Sequence, residues 1–407
     1  PFYGLGLKVY DMMAGKMGLG PSTLLDKKET VELINNVKQE GLRGGVIYHD
    51  GQFDDSRMAI TLALTASKLG ATLINYVEVT GLLKKNGLIT GLEVLDHESE
   101  ERYTIKNKVV INATGVFSDR IVKLDQPESQ PMIRPSQGVH LVLERAFLDG
   151  PHAIMIPHTS DGRVLFAVPW HDHVVVGTTD TPIDYADEEP KALEDEIAFI
   201  LSNASQYMTK KPKKKDVKSV FAGLRPLAAH QGDSMQTKEV SRHHKVNVST
   251  SGLISVLGGK WTTYRKIGED TIDTAVLVGG LKEQKCKTKK LLLHGYDEDT
   301  QIDDPLHVYG SDRHKILSMG TPEDNESMSN KFYITKNLVL WAVKHEMSIH
   351  IEDVLARRVR CLFLDAKETL KIAPKVAKIM ASALQKDDQW IVKELNKFNT
   401  ITQNYIL

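Results

Sequence analysis

Thiols are scarce in this sequence of 407 residues, where Cys286 and Cys361 are the whole complement. They stand far apart and in no CxxC pair, so neither a disulfide framework nor a zinc site is implied, and a reducing compartment fits. Excess charge of either sign is also missing. With 52 Lys and Arg against 53 Asp and Glu, attraction to a membrane must come from local patches, and no nucleic-acid partner is expected. No apolar run approaches the roughly 18–20 residues that span a bilayer, and no secretory signal is visible, so the protein should be soluble or peripheral. No metal is expected, because the Asp-rich stretch 297–304 lacks the ligand spacing and central Gly of a calcium loop. An initiator Met is absent. The chain opens on Pro1 and carries a helical apolar pattern at once (Phe2, Leu5, Val9, Met12, Met13), which reads as a start inside a longer unit. Length alone suggests two or three domains.

What is present centres on 253–266, LISVLGGKWTTYRK. A buried-type strand over 254–257 runs into Gly258 and Gly259, and a helix is expected from about 261–263 through Thr274. A strand that ends in glycines and opens a helix leaves backbone N–H groups aimed at one spot, with the positive end of the helix dipole behind them. Such a spot suits an anion. Lys260 and the hydroxyls of Thr262 and Thr263 add donors, while glycine lets a flat or charged ligand reach the main chain. The plain alternative is an ordinary strand-to-helix turn.

Along the chain, the pattern predicts a polar helix near 28–37, a strand at 46–48, and a helix over 56–69 capped by Asp54 or Asp55. Asp54, Asp55 and Arg57 read as a structural ion-pair group. A strand is expected at 71–79, a hairpin over 81–95, and a strand at 109–112 that ends in Ala113-Thr114-Gly115, with Ser118 and Asp119 heading a short helix. This is the layout of an α/β sheet whose strand ends face a nucleotide. From Arg134 the period changes to two, giving hairpin-like strands at 138–143, 153–157, 163–169 and 173–179. A helix over 190–208 and the basic run 210–215 follow, then strands at 217–224 and 245–249. Beyond about Lys282 a charged linker leads to helices at 331–345, 351–361, 367–373, 375–384 and 387–399.

VINATGVFSD (110–119), PSQGVHLVL (135–143), SDGRV (160–164), VPW (168–170), GTTDTP (177–182), GLRPL (223–227) and ISVLGGKWTTYRK (254–266) occur in one order. In that order they resemble the FAD-dependent, quinone-linked glycerol-3-phosphate dehydrogenases over roughly 44–276, with a looser match in the tail, best at 352–363. One departure is large. The family's amino-terminal strand, Gly-x-Gly-x-x-Gly turn and helix are not found, because Gly4-Leu5-Gly6 has no third glycine at the needed spacing. The chain is therefore read as lacking the family's first βαβ unit and, taken alone, as binding FAD poorly or not at all and turning over no substrate.

The resemblance implies an α/β plus α+β protein. Its parts are a glutathione-reductase-like FAD domain from 1–131 and 258–281, an inserted antiparallel substrate domain over 132–257, and a helical carboxy-terminal domain over 297–407. It implies oxidation of sn-glycerol 3-phosphate to dihydroxyacetone phosphate with electrons passed to quinone. Two alternatives stay open, an oxidase that reduces dioxygen and a catalytically silent scaffold. Oxidising a secondary alcohol needs a base and a hydride acceptor, and the resemblance makes His140 the base, facing the flavin. It makes Arg225 and Arg242 the phosphate-binding residues, for which the planar guanidinium is suited. Thr178 and Thr179 are candidates for the glycerol part. Lys260 is assigned to the substrate phosphate or the flavin, with the choice open. Val79, Ala113, Thr114 and Gly115 are expected to hold the dinucleotide, and Gly258, Gly259, Lys260, Thr262 and Thr263 the flavin. Membrane contact would be peripheral, through basic surface such as 210–218, at a mitochondrial inner membrane or the cytoplasmic face of a bacterial one. Whether the protein forms a homodimer is left open.

Overall fold

The structure, a computed structural model, describes residues 19–229 and 243–407. The expected first helix, the Gly4-Leu5-Gly6 stretch and Arg242 lie outside the described residues.

The first part of the chain supplies β1 (Thr23–Leu25), α1 (Lys27–Leu33), β2 (Gly45–Ile47) and α2 (Asp55–Lys68). Asp26 caps α1 in a reciprocal capping box with Glu29, and Asp54 caps α2 by accepting from Arg57 N. Each such cap stabilises by about 1 kcal/mol. A hairpin, β3 (Val77–Lys85) and β4 (Leu88–Asp96), turns at Asn86-Gly87, where both residues take positive φ, and β5 (Arg102–Lys106) completes a three-stranded sheet. The strand expected over 71–79 begins only at Val77. Tyr76 has φ +57°, which interrupts an extended run, and the side chains before β3 are drawn elsewhere: Asn75 Nδ2 donates to Met347 O and Tyr76 OH to Asp353 Oδ1.

β6 (Val110–Asn112) leads through Gly115–Phe117 into α3 (Ser118–Asp125). The long β7 (Ile133–Glu144) then anchors an antiparallel sheet with β8 (Ile154–Ile156), β9 (Leu165–Trp170), β10 (His173–Gly177), β11 (Thr181–Pro182) and β12 (Val217–Ala228). Period-two patterning explains its faces. Val139, Leu141 and Leu143 point to one side, where Ile197, Ile200 and Ala204 of α4 (Glu194–Tyr207) complete a buried core.

β13 (Lys245–Val248) and β14 (Leu253–Leu257) leave that sheet. β14 pairs in parallel with β6, Leu253 opposite Val110 and Ser255 opposite Asn112, and β13 pairs with β14. The expected boundary at 257 is therefore corrected, because residues 245–257 pair with the strand before Ala113 and not with β7. A connection of more than a hundred residues lies between two paired strands, so the antiparallel sheet is an insertion. α5 (Tyr264–Val278) follows β14.

The tail contains α6 (Arg313–Leu317), α7 (Lys336–His345), α8 (Cys361–Leu364), α9 (Ala366–Leu384) and α10 (Asp388–Thr402) around a core that includes Val339, Val354, Leu362, Ile372, Val376, Met380 and Phe398. Three expectations change here. α7 starts at Lys336, where Thr335 caps it, and not at 331. The stretch expected as one helix over 351–361 contains a single wide turn, Asp353–Arg358, and Arg360 at φ +62° before α8. The helices expected at 367–373 and 375–384 are one, running through Pro374. Proline inside a helix costs about 3 kcal/mol, but the apolar stripe of Ile372, Val376 and Met380 continues across it, and each such burial returns about 1.5–3 kcal/mol.

Candidate active site

Because β6 and β14 are parallel, their carboxyl ends open at the same edge of the sheet. Each then enters a glycine turn and a helix, Ala113-Thr114-Gly115 before α3 and Gly258-Gly259-Lys260 before α5. Two helix amino termini therefore face one edge, the arrangement that favours an anionic or nucleotide ligand. Asn112, 2% exposed, holds the two strand ends together, donating to Ser255 Oγ at 3.3 Å and Ser118 O at 3.0 Å while accepting from Thr114 Oγ1 at 2.7 Å. Gly115 has φ +60° and empty space where a Cβ would stand. Gly259 has φ +87°, and a Cβ there would lie 2.7 Å from Ile267 Cδ1, so only glycine fits the second turn. Thr263 Oγ1 donates to Lys260 O at 2.9 Å and so fastens the turn, whereas Thr262 and Lys260 are exposed. Val79 lies on the separate β3–β4 sheet, at a register shift between Val79 and Gly81, and its backbone pairs with Val94.

The second half of the site is the face of β7 and β12 opposite α4. Across this pair Arg225 stands opposite Ser136, Gly223 opposite Gly138, and Phe221 opposite His140, so these six residues share one face. The His140 ring stacks on Phe221 with centroids 5.2 Å apart and lies over Gly177, whose missing Cβ makes room for it. Burial and the nearby Arg225 charge lower the His140 pKa to about 4, so the imidazole is neutral at physiological pH. Arg225 is held by the 177–182 turn, donating from Nη2 to Thr179 O at 3.1 Å and Thr178 Oγ1 at 3.3 Å, and from Nη1 to Asp180 at 3.4 Å. Its guanidinium lies over Gly138, where a Cβ would come 2.5 Å from Nη2. Gly223 is exposed with nothing near its Cβ position. The face is thus an open glycine floor between a neutral imidazole and a guanidinium.

The two halves meet. Ala228, three residues beyond Arg225 on β12, has its Cβ 3.3 Å from the Cβ position of Gly258, and Ile133, Ala228 and Leu257 form a small shared core. The Gly115–Phe117 turn packs against both β7 and β12.

A family model described as FAD dependent oxidoreductase matches residues 6–265, and one described as C-terminal domain of alpha-glycerophosphate oxidase matches 258–390. The chain is 34% identical to the mitochondrial glycerol-3-phosphate dehydrogenase of Bos taurus, over 97% of this chain and 58% of that protein. It is 33% identical to the mitochondrial glycerol-3-phosphate dehydrogenase of Schizosaccharomyces pombe, over 95% of this chain and 69% of that protein. Among solved structures, the glycerol-3-phosphate dehydrogenase of Bacillus halodurans complexed with FAD superposes with a TM-score of 0.80 at 25% identity, covering 94% of this chain and 79% of that one. The chain belongs to the FAD-dependent glycerol-3-phosphate dehydrogenase family. It spans just over half the length of the mammalian relatives it matches.

Membership makes FAD the cofactor, and the two turns suit it. Gly115 has open space at its Cβ position, and the Gly258-Gly259 turn, like it, lies at the start of a helix, where an anionic ligand is favoured. Among the residues expected at the substrate, His140, Arg225 and Thr178 come together on one face. Thr179 does not join them: its hydroxyl is buried, donating to Glu196 Oε1 at 2.8 Å and accepting from Val139 N at 3.0 Å, so it supports the turn. Sequence reading missed Asp180, Glu196, Phe221 and the glycine floor. Asp180 and Gly223 sit inside quoted motifs, but Glu196 carries no local signal beyond its place in the first turn of a helix. The Asp54, Asp55 and Arg57 group is structural, but its ion pairs run to the helical tail and not within the group. Arg57 pairs with the buried Glu346 at 2.5 Å, and Arg360 is bonded to Asp55 and Ser56.

Proposed function

We propose that the protein oxidises the C2 hydroxyl of sn-glycerol 3-phosphate to give dihydroxyacetone phosphate, and that quinone takes the electrons onward. The observation that carries this reading is the pairing of a neutral His140 with Arg225 across an open glycine floor, beside the edge that suits a dinucleotide. Bound FAD supplies the acceptor for the C2 hydride. The chain's own residues supply the rest. Arg225, fixed by Thr178, Thr179 and Asp180, presents its guanidinium to the phosphate, and Lys260, exposed on the 258–260 turn, serves either that phosphate or the flavin. His140 Nε2 or Nδ1 takes the hydroxyl proton, which the lowered pKa leaves it free to do at neutral pH. The open space over Gly223 admits the three-carbon chain between them. Thr178 Oγ1 donates to Thr179 O at 3.2 Å and accepts from Arg225, so its remaining lone pair would accept from a glycerol hydroxyl.

Among the described residues no helix is long and apolar enough to cross a membrane. The names of the relatives support a mitochondrial location, and within it the reading is a peripheral place at the inner membrane. Surface 210–218 is a weaker anchor than its lysine count suggests, since Lys214 is bonded to Glu194 at 2.8 Å and Lys218 to Glu144 at 2.6 Å. The test is anaerobic addition of glycerol 3-phosphate to the flavin-loaded protein, followed by a quinone analogue or by dioxygen with peroxide assayed. Flavin bleaching reversed by the quinone supports the reading. Rapid peroxide formation moves it to an oxidase, and unchanged bleaching in both Arg225→Ala and His140→Ala sinks the assigned roles.

A further inference from the structure

We infer that Glu196, which touches no reacting atom, is a positioning residue that sets the affinity for the phosphorylated substrate by fixing the turn on which Arg225 rests. The inference deepens the proposed function and rests on it. Glu196 lies in the first turn of α4 and is 4% exposed. Its carboxyl group accepts four hydrogen bonds: Oε1 from Thr179 Oγ1 at 2.8 Å and Thr181 Oγ1 at 2.6 Å, Oε2 from Gln137 Nε2 at 2.8 Å and Leu193 N at 3.0 Å. Four donors saturate a carboxyl buried this deeply, so the group is fixed in place. The donors come from the 177–182 turn, from β7 and from the start of α4, so one side chain locks three elements in register.

The lock leads to Arg225 by short steps. Thr179, gripped through its hydroxyl, offers its carbonyl to Arg225 Nη2, and the next residue, Asp180, accepts from Arg225 Nη1 and from Ser136 Oγ. Gln137, a third side chain on Glu196 beside Thr179 and Thr181, is the neighbour of Ser136 on β7, and Ser136 stands opposite Arg225. Moving the carboxyl group therefore moves both supports of the guanidinium. His140 is held chiefly by its stack on Phe221 of β12 and by the strand pairing of β7 with β10, not by a bond to Glu196. A fault at Glu196 is therefore felt in binding more than in proton transfer.

The test is steady-state kinetics of the flavin-loaded enzyme with Glu196→Gln, which keeps the shape but puts an N–H₂ group where two donors converge. The expected result is a KM for glycerol 3-phosphate raised about tenfold, with kcat per bound flavin within about twofold. The inhibition constant of inorganic phosphate should rise in parallel. In an Arg225→Ala background the same substitution should change KM by less than about twofold, because both act through one guanidinium. Thr181→Val should reproduce the defect and Thr181→Ser should not, which keeps the inference testable if Glu196→Gln folds poorly. A helix-capping role alone would lower the melting temperature and leave KM and phosphate inhibition unmoved, and that result overturns the inference. An equal KM effect in the Arg225→Ala background also overturns it while leaving Arg225 as the phosphate residue. If Arg225→Ala itself leaves KM unchanged, the proposed function and this inference fall together.

Discussion

Gly223 stands directly opposite Gly138 on the β7–β12 pair, and the two glycines do different things. Over Gly138 lies the guanidinium of Arg225, so that glycine makes room for a protein side chain. Gly223 is exposed and has nothing within reach of its Cβ position, so that glycine leaves the floor open.

Gly223→Ala should therefore fold normally. Its backbone is not in the left-handed region, and exchanging Gly for Ala at a compatible site is worth about 0.4–1 kcal/mol through the unfolded chain. The new methyl group stands between His140 and Arg225, so KM for glycerol 3-phosphate should rise about tenfold or more while the melting temperature holds or increases. Gly138→Ala should instead lower both stability and affinity, since its methyl meets Arg225 Nη2 at 2.5 Å. Thermal melts and kinetics on the two variants check the contrast.

A second prediction concerns pH. With its pKa lowered to about 4 by burial and Arg225, His140 stays neutral well below pH 6.5, so the acid limb of kcat/KM assigned to it should fall nearer pH 4. Phe221→Ala removes the stacked ring that helps to bury the imidazole and should move that limb upward. His140→Ala should lower kcat by roughly 10²–10⁴. The same shift affects folding. The unfolded histidine takes up a proton near pH 6.5 and the folded one does not, so the His140 contribution to stability is present above pH 6.5 and is lost as pH falls towards 4. The pH–rate profile of wild type and Phe221→Ala is the decisive measurement.

Much of this architecture is legible in the sequence, for identifiable reasons. Asp54 as a cap, the glycine turn at 258–259 and the period-two strands from Arg134 are local signals, each set by a few neighbouring residues. The pairing of β14 with β6 is not a local signal, since the two strands are more than a hundred residues apart, and a boundary drawn at 257 separates β14 from the turn and helix that follow it. Pro374 misleads for a related reason. Its local cost is real, but the buried stripe on both sides of it outweighs that cost. At the site, the motifs point to His140 and Arg225 but not to how they are held. Thr179 has the residue type of a ligand group, and only its burial against Glu196 shows that its hydroxyl is already used.

The buried pair of Arg57 and Glu346 gives a third prediction. The guanidinium is 7% exposed and lies 4.2 Å from the centre of the Tyr309 ring, and it donates to Glu346 at 2.5 Å and to Arg358 O at 3.1 Å. Glu346→Ala strands a buried charge and should cost about 3–5 kcal/mol, whereas Arg57→Met with Glu346→Leu should recover most of that loss. Chemical denaturation of the single and double variants distinguishes these outcomes. Equal loss in both would show that packing, and not charge, dominates the contact.

The last prediction places a pH response where the β3–β5 sheet meets the helical tail. His350 is 8% exposed, with Nδ1 2.9 Å from Glu394 Oε1 and Nε2 3.0 Å from Glu98 Oε1, and the Tyr76 ring packs edge-on at 4.7 Å. Burial by itself would lower its pKa. The hydrogen bond and charge of Glu394, with Glu98 adding, outweigh both burial and the opposing Lys397, so the net shift is upward. Both ring nitrogens can donate only in the protonated form, so the contact is complete when His350 is charged. A raised folded-state pKa means that this stabilisation is fully present below pH 6.5 and is lost as pH rises through the folded value. Hydrogen exchange in β4, β5 and α10 should therefore quicken with pH beyond the intrinsic chemical increase, and His350→Gln should remove that excess. An excess that survives in His350→Gln would assign the response to another group.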